Sequence, residues 1–281
     1  MLQKQLLAVA TLALFTAAPA FADFAKGVAA YNAQDYATAL HEFQPLAEKG
    51  NASAQFNLGF MYESGNGVKQ DLTEAAKWYE KAAAQGDVDS QFAIAMVYYE
   101  GTGVAQDYAK ALKWFQKAAD QGNQKAQYNL GIMYNQGQGT KEDQAKALKW
   151  YQKSADKGYD QAQLNLGTMY YEGIGIKQDS AKAIKWFTKA ADQGNITAQR
   201  NLGSIYYAGL GTKADVAKAA KWFQKAADQN DAESQYNLGI MSHEGIGVTQ
   251  DDAAASQWFQ KAADQGNEDA KKMLETLKPA K

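Results

Sequence analysis

Apolar side chains recur along this chain at the spacing of one helix face, in two kinds of stretch that alternate. In residues 123–158, the first stripe has i, i+4, i+7, i+8 spacing and consists of Ala126, Leu130, Met133 and Tyr134. The second stripe has i, i+3, i+4, i+7 spacing and consists of Ala147, Trp150, Tyr151 and Ser154. Because residues at these intervals share one side of a helix, the pattern predicts two amphipathic helices.

Signals that end and begin a helix lie between and after the two stripes. Gly137 and Gly139 follow the first stripe, and glycine readily adopts the left-handed conformation that ends a helix. Asp143 precedes the second stripe in an N-cap or first-turn position, and Gly158 ends the second helix. Gly131 lies within the first helix, where we expect it to let another backbone come close.

This helix pair is repeated along the chain. Consecutive tryptophans are always 36 residues apart: Trp78, Trp114, Trp150, Trp186, Trp222 and Trp258. Cutting at one phase gives six units over residues 51–266 without an insertion. Such a period is typical of a solenoid, in which each helix pair covers the apolar face of the next. Since each tryptophan lies on the apolar stripe, we expect all six in the repeat core.

The two ends of the array differ from the six repeats. Residues 23–50 lack the tryptophan and have a shorter loop, which predicts an N-terminal capping repeat. Residues 267–281 predict a C-terminal capping helix and tail, because charged side chains replace the usual ones at Lys271, Lys272, Glu275 and Lys278. With polar caps at both ends, the array need not continue into a second molecule, and we expect a monomer.

Residues 1–22 have the parts of a signal peptide. Lys4 supplies a positive charge, residues 6–18 are apolar, and residues 20–22 form a small-x-small cleavage site. The apolar run is too short to span a bilayer comfortably, and no later stretch is long or apolar enough for a second span. We therefore expect a periplasmic or secreted protein with no integral membrane segment after cleavage. The absence of cysteine excludes a lipid anchor on an N-terminal cysteine.

Composition argues against nucleic acid, metals, cofactors and catalysis. The formal charge is −2 and Arg200 is the only arginine, so the chain lacks the basic face that nucleic acid requires. His41 and His243 are the only histidines and belong to distant copies, which disfavours a metal cluster. The Gly-x-Gly pairs follow helices and lack the third glycine of a dinucleotide site. One carboxylate per loop is too few for calcium. We predict no catalytic residue, metal or cofactor.

The run from residue 126 to 134, Ala-Gln-Tyr-Asn-Leu-Gly-Ile-Met-Tyr, the Gly-x-Gly pair, Asp143 and the Trp-Tyr pair at 150–151 resemble the Sel-one-like repeat. This repeat is a longer-looped relative of the tetratricopeptide repeat. The resemblance implies an all-α, right-handed α/α superhelical solenoid of helix–turn–helix units. It also implies an adaptor role, since many bacterial relatives assemble complexes or regulate sensors. Some relatives are linked to β-lactam binding, but those are rich in cysteine, which this chain lacks.

Positions of the first helix that vary between copies are the candidates for partner contact, because positions alike in every copy must serve the scaffold. Within each copy they fall at i, i+4, i+7, nearly opposite the core stripe. The predicted contact residues are Phe60, Phe92, Met96, Tyr99, Tyr128, Ile132, Tyr171, Arg200, Tyr207, Tyr236 and His243. The resemblance places these helices along a concave groove; the alternative is that the neighbouring first helix covers them.

Three further expectations concern single features of this surface. The densest apolar block is predicted where adjacent copies bring together Phe92, Met96, Tyr99, Tyr128 and Ile132. Arg200 could bind a carboxylate of the partner with both guanidinium nitrogens, or it could be a solvated surface charge. On the second helices, a lysine stripe is expected to face solvent: Lys110, Lys113 and Lys117.

These features together predict a non-catalytic adaptor that binds a peptide or protein segment in the groove of the first helices. A cell-wall or carbohydrate binder is the alternative, because tyrosine and tryptophan also stack on sugars. An enzyme of the β-lactamase-like repeat type is disfavoured by the missing cysteines.

If residues 1–22 are removed on export, N-terminal sequencing of the chain recovered from a bacterial envelope fraction should begin at Asp23. The matched control is the chain without residues 2–22, which should stay in the cytoplasmic fraction. Recovery of the envelope form with its first residues intact would contradict the signal-peptide assignment.

Overall fold

The computed structural model describes residues 20–277, and the side chains of residues 24–277. Within this range the chain is α-helical without strands. The predicted signal peptide lies outside the described residues except for the backbone of residues 20–22, and Lys278 lies outside them too. The helices are α1 Ala20–Asn32, α2 Tyr36–Glu48, α3 Ala52–Ser64, α4 Leu72–Ala84, α5 Val88–Glu100, α6 Tyr108–Asp120, α7 Gln124–Gln136, α8 Gln144–Asp156, α9 Asp160–Glu172, α10 Ser180–Asp192, α11 Ile196–Ala208, α12 Val216–Asp228, α13 Ala232–Glu244, α14 Asp252–Asp264 and α15 Glu268–Thr276.

The chain divides after Asp107 into two compact units, the first with α1–α5 and the second with α6–α15. Within each unit, consecutive helices pack against one another. The predicted all-α solenoid of helix pairs is therefore confirmed. The odd-numbered helices are the first helices of their repeats, and the even-numbered ones are the second helices.

In five of the six repeats, the two helices meet where an aromatic ring lies on a glycine; Ala95 replaces this glycine in the second repeat. In the fifth repeat the glycine is Gly203 of α11, and a Cβ atom placed there would lie 2.6 Å from the Phe223 ring of α12. A real Cβ cannot come that close, so glycine is required. Phe223 is 3% exposed, and its counterparts Tyr79, Phe115, Tyr151, Phe187 and Phe259 are equally buried. The nearest group to the helical glycine is thus a side chain. At the equivalent Gly59, the backbone carbonyl oxygen of Ala75 also lies 3.2 Å from a Cβ atom placed there, which agrees with the expected approach of a backbone.

The six tryptophans are less deeply placed than predicted. Only Trp78 and Trp186 are buried, whereas Trp114, Trp150, Trp222 and Trp258 are partly exposed. One face of each ring carries the ammonium group of the lysine three residues later, at 3.6 Å for Lys81 over Trp78 and 4.0 Å for Lys225 over Trp222. The phenylalanine or tyrosine that follows each tryptophan is more deeply buried than the tryptophan itself.

All three residues of the predicted lysine stripe, Lys110, Lys113 and Lys117, are exposed, as expected. Lys117 also places its ammonium group 4.0 Å from the centre of the Trp114 ring, so its stem covers apolar surface. Lysine therefore shields the partly exposed tryptophan from water while its charge stays solvated.

The Gly-x-Gly loop joins each repeat to the one before it. Gly139 has φ of 68°, and a Cβ atom there would lie 2.4 Å from the carbonyl oxygen of Tyr108 at the start of α6. The first glycine of the pair, Gly137, ends α7 in the left-handed conformation, as predicted. Both glycines have a structural reason, since one ends a helix and the other lets the loop pack on the preceding second helix.

Side-chain caps hold the beginnings of the helices. Asp143 accepts a hydrogen bond from the backbone N–H of Lys146 at 2.9 Å, and this bond lowers the pKa of its carboxyl group. Asn195 caps α11 in the same way, accepting from the backbone N–H of Ala198 at 3.0 Å. The first helix of the fourth repeat begins differently, because Tyr159 stands at its N-cap and makes no side-chain cap bond.

The different depths of the two aromatic positions predict different energetic effects. Phe223→Ala should lower the free energy of unfolding by about 3–5 kcal/mol, because it opens a cavity against Gly203. Trp222→Ala should lower it by only about 1–2 kcal/mol, because part of that ring is already exposed. Urea unfolding followed by far-ultraviolet circular dichroism compares the two. An equal or larger loss for Trp222→Ala would refute this assignment of the core.

Candidate binding surface on the first helices

The variable positions of the first helices remain open to solvent in both units. We call them the first-helix face: Phe56, Phe60, Glu63, Phe92, Met96, Tyr99, Tyr128, Ile132, Asn135, Leu164, Thr168, Tyr171, Arg200, Ser204, Tyr207, Tyr236, Ile240 and His243. Each of these side chains is partly or fully exposed. The core stripe of the same helices is buried, with Ala126, Leu130 and Met133 at 0% exposure. The face is therefore at least partly open to solvent within its own unit.

In the first unit, Phe60 and Glu63 of the first-helix face contact side chains of other helices. The Phe60 ring lies 6.0 Å from the Tyr31 ring of α1. Glu63 accepts a hydrogen bond from the Tyr79 hydroxyl at 2.6 Å. Burial and the nearby carboxylate together raise the pKa of Tyr79 well above its usual value, so the hydroxyl stays protonated and donates. Phe92, Met96 and Tyr99 are half-buried on α5.

In the second unit, the two aromatic first members of the triplets, Tyr128 and Tyr236, pack inward. The Tyr128 ring lies 5.8 Å from Tyr151 of its own repeat and 5.1 Å from Tyr159 of the next. Tyr236 lies 5.8 Å from Phe259 in the same manner. These rings connect the face to the core, and Tyr128 is wedged between two repeats. Ile132 is partly exposed and packs beside Tyr151.

Among the third members of the triplets in the second unit, Tyr207 is exposed, whereas Asn135, Tyr171 and His243 are partly exposed. Tyr207 on α11 is 41% exposed, and Tyr171 occupies the same position on α9 with its ring 6.5 Å from Phe187. His243 holds this position on α13, and its Nδ1 atom lies 2.6 Å from a carboxylate oxygen of Asp252 at the start of α14. Two tyrosines and a histidine on successive first helices thus offer ring surface to a ligand.

Arg200 is already engaged within the protein. Its Nη1 atom donates to Asp231 at 2.8 Å, and its Nε atom lies 3.4 Å from Glu233. Both carboxylates belong to the beginning of α13, where the helix dipole also favours negative charge. The side chain is 29% exposed, so it is no freely solvated charge. A carboxylate of the partner would have to displace Asp231 or Glu233. This argues against the predicted binding of a partner carboxylate by Arg200.

The predicted apolar block draws on both units. Phe92, Met96 and Tyr99 belong to the first, whereas Tyr128 and Ile132 belong to the second. Each residue is partly exposed in its own unit. Their assembly into one patch stays a prediction.

Sequence reasoning missed a column of buried glutamines that connects the repeats. Gln199 donates its side-chain N–H to the carbonyl of Ala191 in the preceding second helix at 3.0 Å. Its side-chain oxygen accepts from Gln229 at the end of α12 at 2.8 Å. Equivalent pairs join Gln163 to Gln193 and Gln235 to Gln265. The recurrence of glutamine two residues before each Asn-Leu-Gly or its variant was the available signal.

The column is interrupted at one repeat. Gln127 is buried and donates to the carbonyl of Ala119, but its side-chain oxygen has no partner. Lys157 stands where the other repeats have the second glutamine, and its ammonium group donates instead to the carbonyl of Gly122 at 2.8 Å. A buried oxygen without a donor is unfavourable, so this substitution weakens the third repeat locally.

A model of the Sel1 repeat matches six consecutive segments of the chain: 52–87, 88–123, 124–159, 160–195, 196–231 and 232–267. Together they make up more than half of the 281 residues. The chain belongs to the Sel1 repeat family. Each matched segment begins one residue after the predicted unit, at the first residue following the N-cap position. The predicted resemblance is confirmed.

Solved structures of other Sel1 repeat proteins agree with this assignment. A protective antigen of uropathogenic Escherichia coli that displays an SLR fold is 39% identical, with a TM-score of 0.85 over 92% of this chain. A Sel1 repeat protein from Oxalobacter formigenes is 35% identical, with a TM-score of 0.79 over 92% of this chain. The chain spans 56% of the first protein and 76% of the second. A comparison with curated proteins found no match.

Two further kinds of functional feature, membrane-spanning helices and metal-binding clusters, are absent from the described residues of this Sel1 repeat protein. Between residues 20 and 277, none of the helices combines the length and apolar character needed to cross a membrane. Among the side chains of residues 24–277, no group of three or more histidine, aspartate and glutamate residues is arranged to hold a metal ion.

Lys157→Gln should restore the interrupted glutamine column. We expect the free energy of unfolding to rise by about 0.5–1 kcal/mol, because the new amide can donate to the buried oxygen of Gln127. Lys149→Gln, an exposed change with the same loss of charge, should have little effect. Urea midpoints of both variants test this. Equal midpoints for the two would mean that the unpartnered oxygen has no energetic consequence.

Proposed function

We propose that this Sel1 repeat protein is a non-catalytic adaptor of the bacterial envelope, or a secreted one, that binds a peptide or protein segment on the first-helix face. The Sel1 repeat fold is that of a protein-interaction scaffold. The observation that carries the proposal is the contrast on one helix: Ala126, Leu130 and Met133 of the recurring stripe are buried, while the variable aromatic positions are partly or fully exposed.

The exposed part of the face has the composition of a recognition surface. Tyr171 and Tyr207 lie at equivalent positions of consecutive repeats, and His243 follows on the next. Tyrosine is enriched among residues that dominate binding energy, because it offers a large rigid surface and a polar tip. Variation between repeats allows each repeat to contact a different ligand side chain. This supports protein binding over a repeated chemical step.

Export is the second element of the proposal. Its basis is the signal-peptide pattern of residues 1–22. The similar protein of uropathogenic Escherichia coli is a protective antigen, which fits a chain that leaves the cytoplasm. The carbohydrate alternative is weaker, because one face of each tryptophan ring is covered by a lysine ammonium group, as with Lys189 at 4.1 Å from Trp186.

The proposal is tested with the immobilised chain from Asp23 to Lys281 and an envelope extract, with captured proteins identified by mass spectrometry. Tyr171→Ser combined with Tyr207→Ser should reduce capture of the partner at least about tenfold, because each tyrosine at an interface centre contributes roughly 1–2 kcal/mol. The control is Lys185→Ser combined with Lys221→Ser, two exposed changes on the second helices of the same repeats. The control should capture the partner at the wild-type level.

Thermal unfolding of both double variants must match the wild type, which shows that any loss of capture reflects the surface. If the tyrosine variant captures every partner as the wild type does, the first-helix face is not the binding surface. Loss in the lysine variant alone would transfer the function to the second helices.

A further inference from the structure

Lysine is concentrated on one side of four consecutive second helices, α6, α8, α10 and α12, all of which belong to the second unit. Each of these helices carries three lysines at i, i+3 and i+7, a spacing that places them on the same side of the helix. We call them the lysine face: Lys110, Lys113, Lys117, Lys146, Lys149, Lys153, Lys182, Lys185, Lys189, Lys218, Lys221 and Lys225. All twelve side chains are exposed.

The helices of the lysine face are neighbours in the second unit. Leu148 of α8 and Trp222 of α12 pack against the same core cluster that contains Trp186 of α10. The ammonium group of Lys225 on α12 lies 4.0 Å from a carboxylate oxygen of Asp192 at the end of α10. The lysines of successive helices therefore extend one continuous surface.

Carboxylates are confined to the ends of these four helices. An aspartate stands directly before each helix and another is its last residue, and no acidic residue lies between them. Twelve lysines against these eight aspartates leave a local charge of +4, whereas the formal charge of the whole chain is −2. The total charge thus conceals a basic surface, and the expectation that the chain lacks a basic face does not hold for the second helices.

The three lysines of one helix differ in the contacts that the protein already gives them. On α8, the ammonium group of Lys146 lies 3.4 Å from the N-cap Asp143, and that of Lys153 lies 3.9 Å from the centre of the Trp150 ring. Equivalent contacts recur on α10 and α12. The middle lysines make no hydrogen bond or ion pair within residues 24–277: Lys113, Lys149, Lys185 and Lys221.

The fold does not require a lysine at the middle position. Gln257 occupies it on α14, a second helix of the same 13-residue length. Lys77 occupies it on α4, but there the carboxylate of Glu74 lies 2.8 Å from the ammonium group. Unpaired ammonium groups on successive repeats repel one another, which opposes the compact stack. The row of unpaired lysines is therefore explained by a negatively charged partner rather than by the stack.

The chemistry of the face favours a broad anionic surface over a single anion. Lysine is a hydrated point charge on a flexible stem, whereas arginine binds individual phosphates and carboxylates in a fixed two-bond geometry. The face contains no arginine. Stacking on bases or sugars is disfavoured, because lysine ammonium groups cover one face of the tryptophan rings, such as Lys153 over Trp150. Charges that extend both along each helix and from helix to helix match a planar array of headgroups, whereas a linear polyanion follows only one row.

We propose that the lysine face docks on a bilayer surface that contains anionic phospholipids and holds this Sel1 repeat protein there as a peripheral protein. Electrostatic attraction to anionic headgroups needs no inserted helix. The docking goes beyond the proposed function, because it uses the second helices and a different class of partner. The first-helix face keeps its own partner.

The test uses the chain from Asp23 to Lys281 and vesicles made of equal parts of phosphatidylglycerol and phosphatidylcholine, in low-salt buffer. Bound protein is measured by co-sedimentation. The triple variant Lys149→Gln, Lys185→Gln, Lys221→Gln should bind about 100-fold more weakly, because each lysine near an anionic surface contributes roughly a factor of five. Wild-type binding should fall as salt is added, since salt screens these charges.

The matched control removes three lysines from loops of the same three repeats: Lys141→Gln, Lys177→Gln and Lys213→Gln. These residues are exposed and make no hydrogen bond or ion pair within residues 24–277. The control has the same net charge as the face variant, and it should bind the anionic vesicles within about threefold of the wild type. Thermal unfolding of both triple variants should match the wild type, because none of the six side chains has a partner to lose.

Three results would overturn the docking: equal weakening in the face variant and the control, equal wild-type binding to vesicles of phosphatidylcholine alone, or no binding to the anionic vesicles in low salt. Heparin, a soluble linear polyanion, tests the other chemistry. If the wild type binds heparin but not the vesicles, and the face variant loses heparin, the surface recognises a linear polyanion and the lipid assignment is wrong.

The proposed function fails or holds separately. The variant with Tyr171→Ser and Tyr207→Ser should bind the anionic vesicles like the wild type, whereas the lysine-face variant should still capture the protein partner from an envelope extract. Loss of vesicle binding in the tyrosine variant would count against the lysine face as the docking surface.

Discussion

The contact between a second-helix aromatic ring and a first-helix glycine determines how the helix pair is built in five of the six repeats. At Gly203 the ring of Phe223 occupies the space that any side chain would need. Alanines of the same two helices, such as Ala219 and Ala198, are completely buried. One helix pair cannot bury all of its own apolar surface, and the next pair covers the remainder. Stacking follows from that constraint.

Consecutive repeats are also connected by polar groups, which require a specific geometry to form their hydrogen bonds. The second glycine of each loop lets the chain lie against the previous second helix, and the buried glutamines bond to a carbonyl on one side and an amide on the other. Because buried amides are unfavourable unless both ends are bonded, these residues fix the register between repeats. The interruption at Gln127 and Lys157 marks a repeat where this register is held less firmly.

Because the stacking depends on other positions, the residues of the first-helix face are free to vary between repeats. The glycine, alanine, glutamine and aromatic positions are committed to the stack, whereas the first-helix face carries tyrosine, histidine, threonine or serine without loss of fold.

The sequence by itself determined the helix pairs, their caps and the solenoid. These depend on local rules: helical periodicity of the apolar stripe, glycine in left-handed conformations, and aspartate or asparagine at N-caps, all of which act within a few residues. Only the tertiary structure decided which aromatic residue is buried, that Arg200 pairs with Asp231, and that Gln127 lacks a donor while Gln199 has one. Arg200 and Asp231, like Gln199 and Gln229, lie about one repeat apart in sequence. Whether such residues meet depends on how one helix pair stacks on the next, which periodicity alone does not specify.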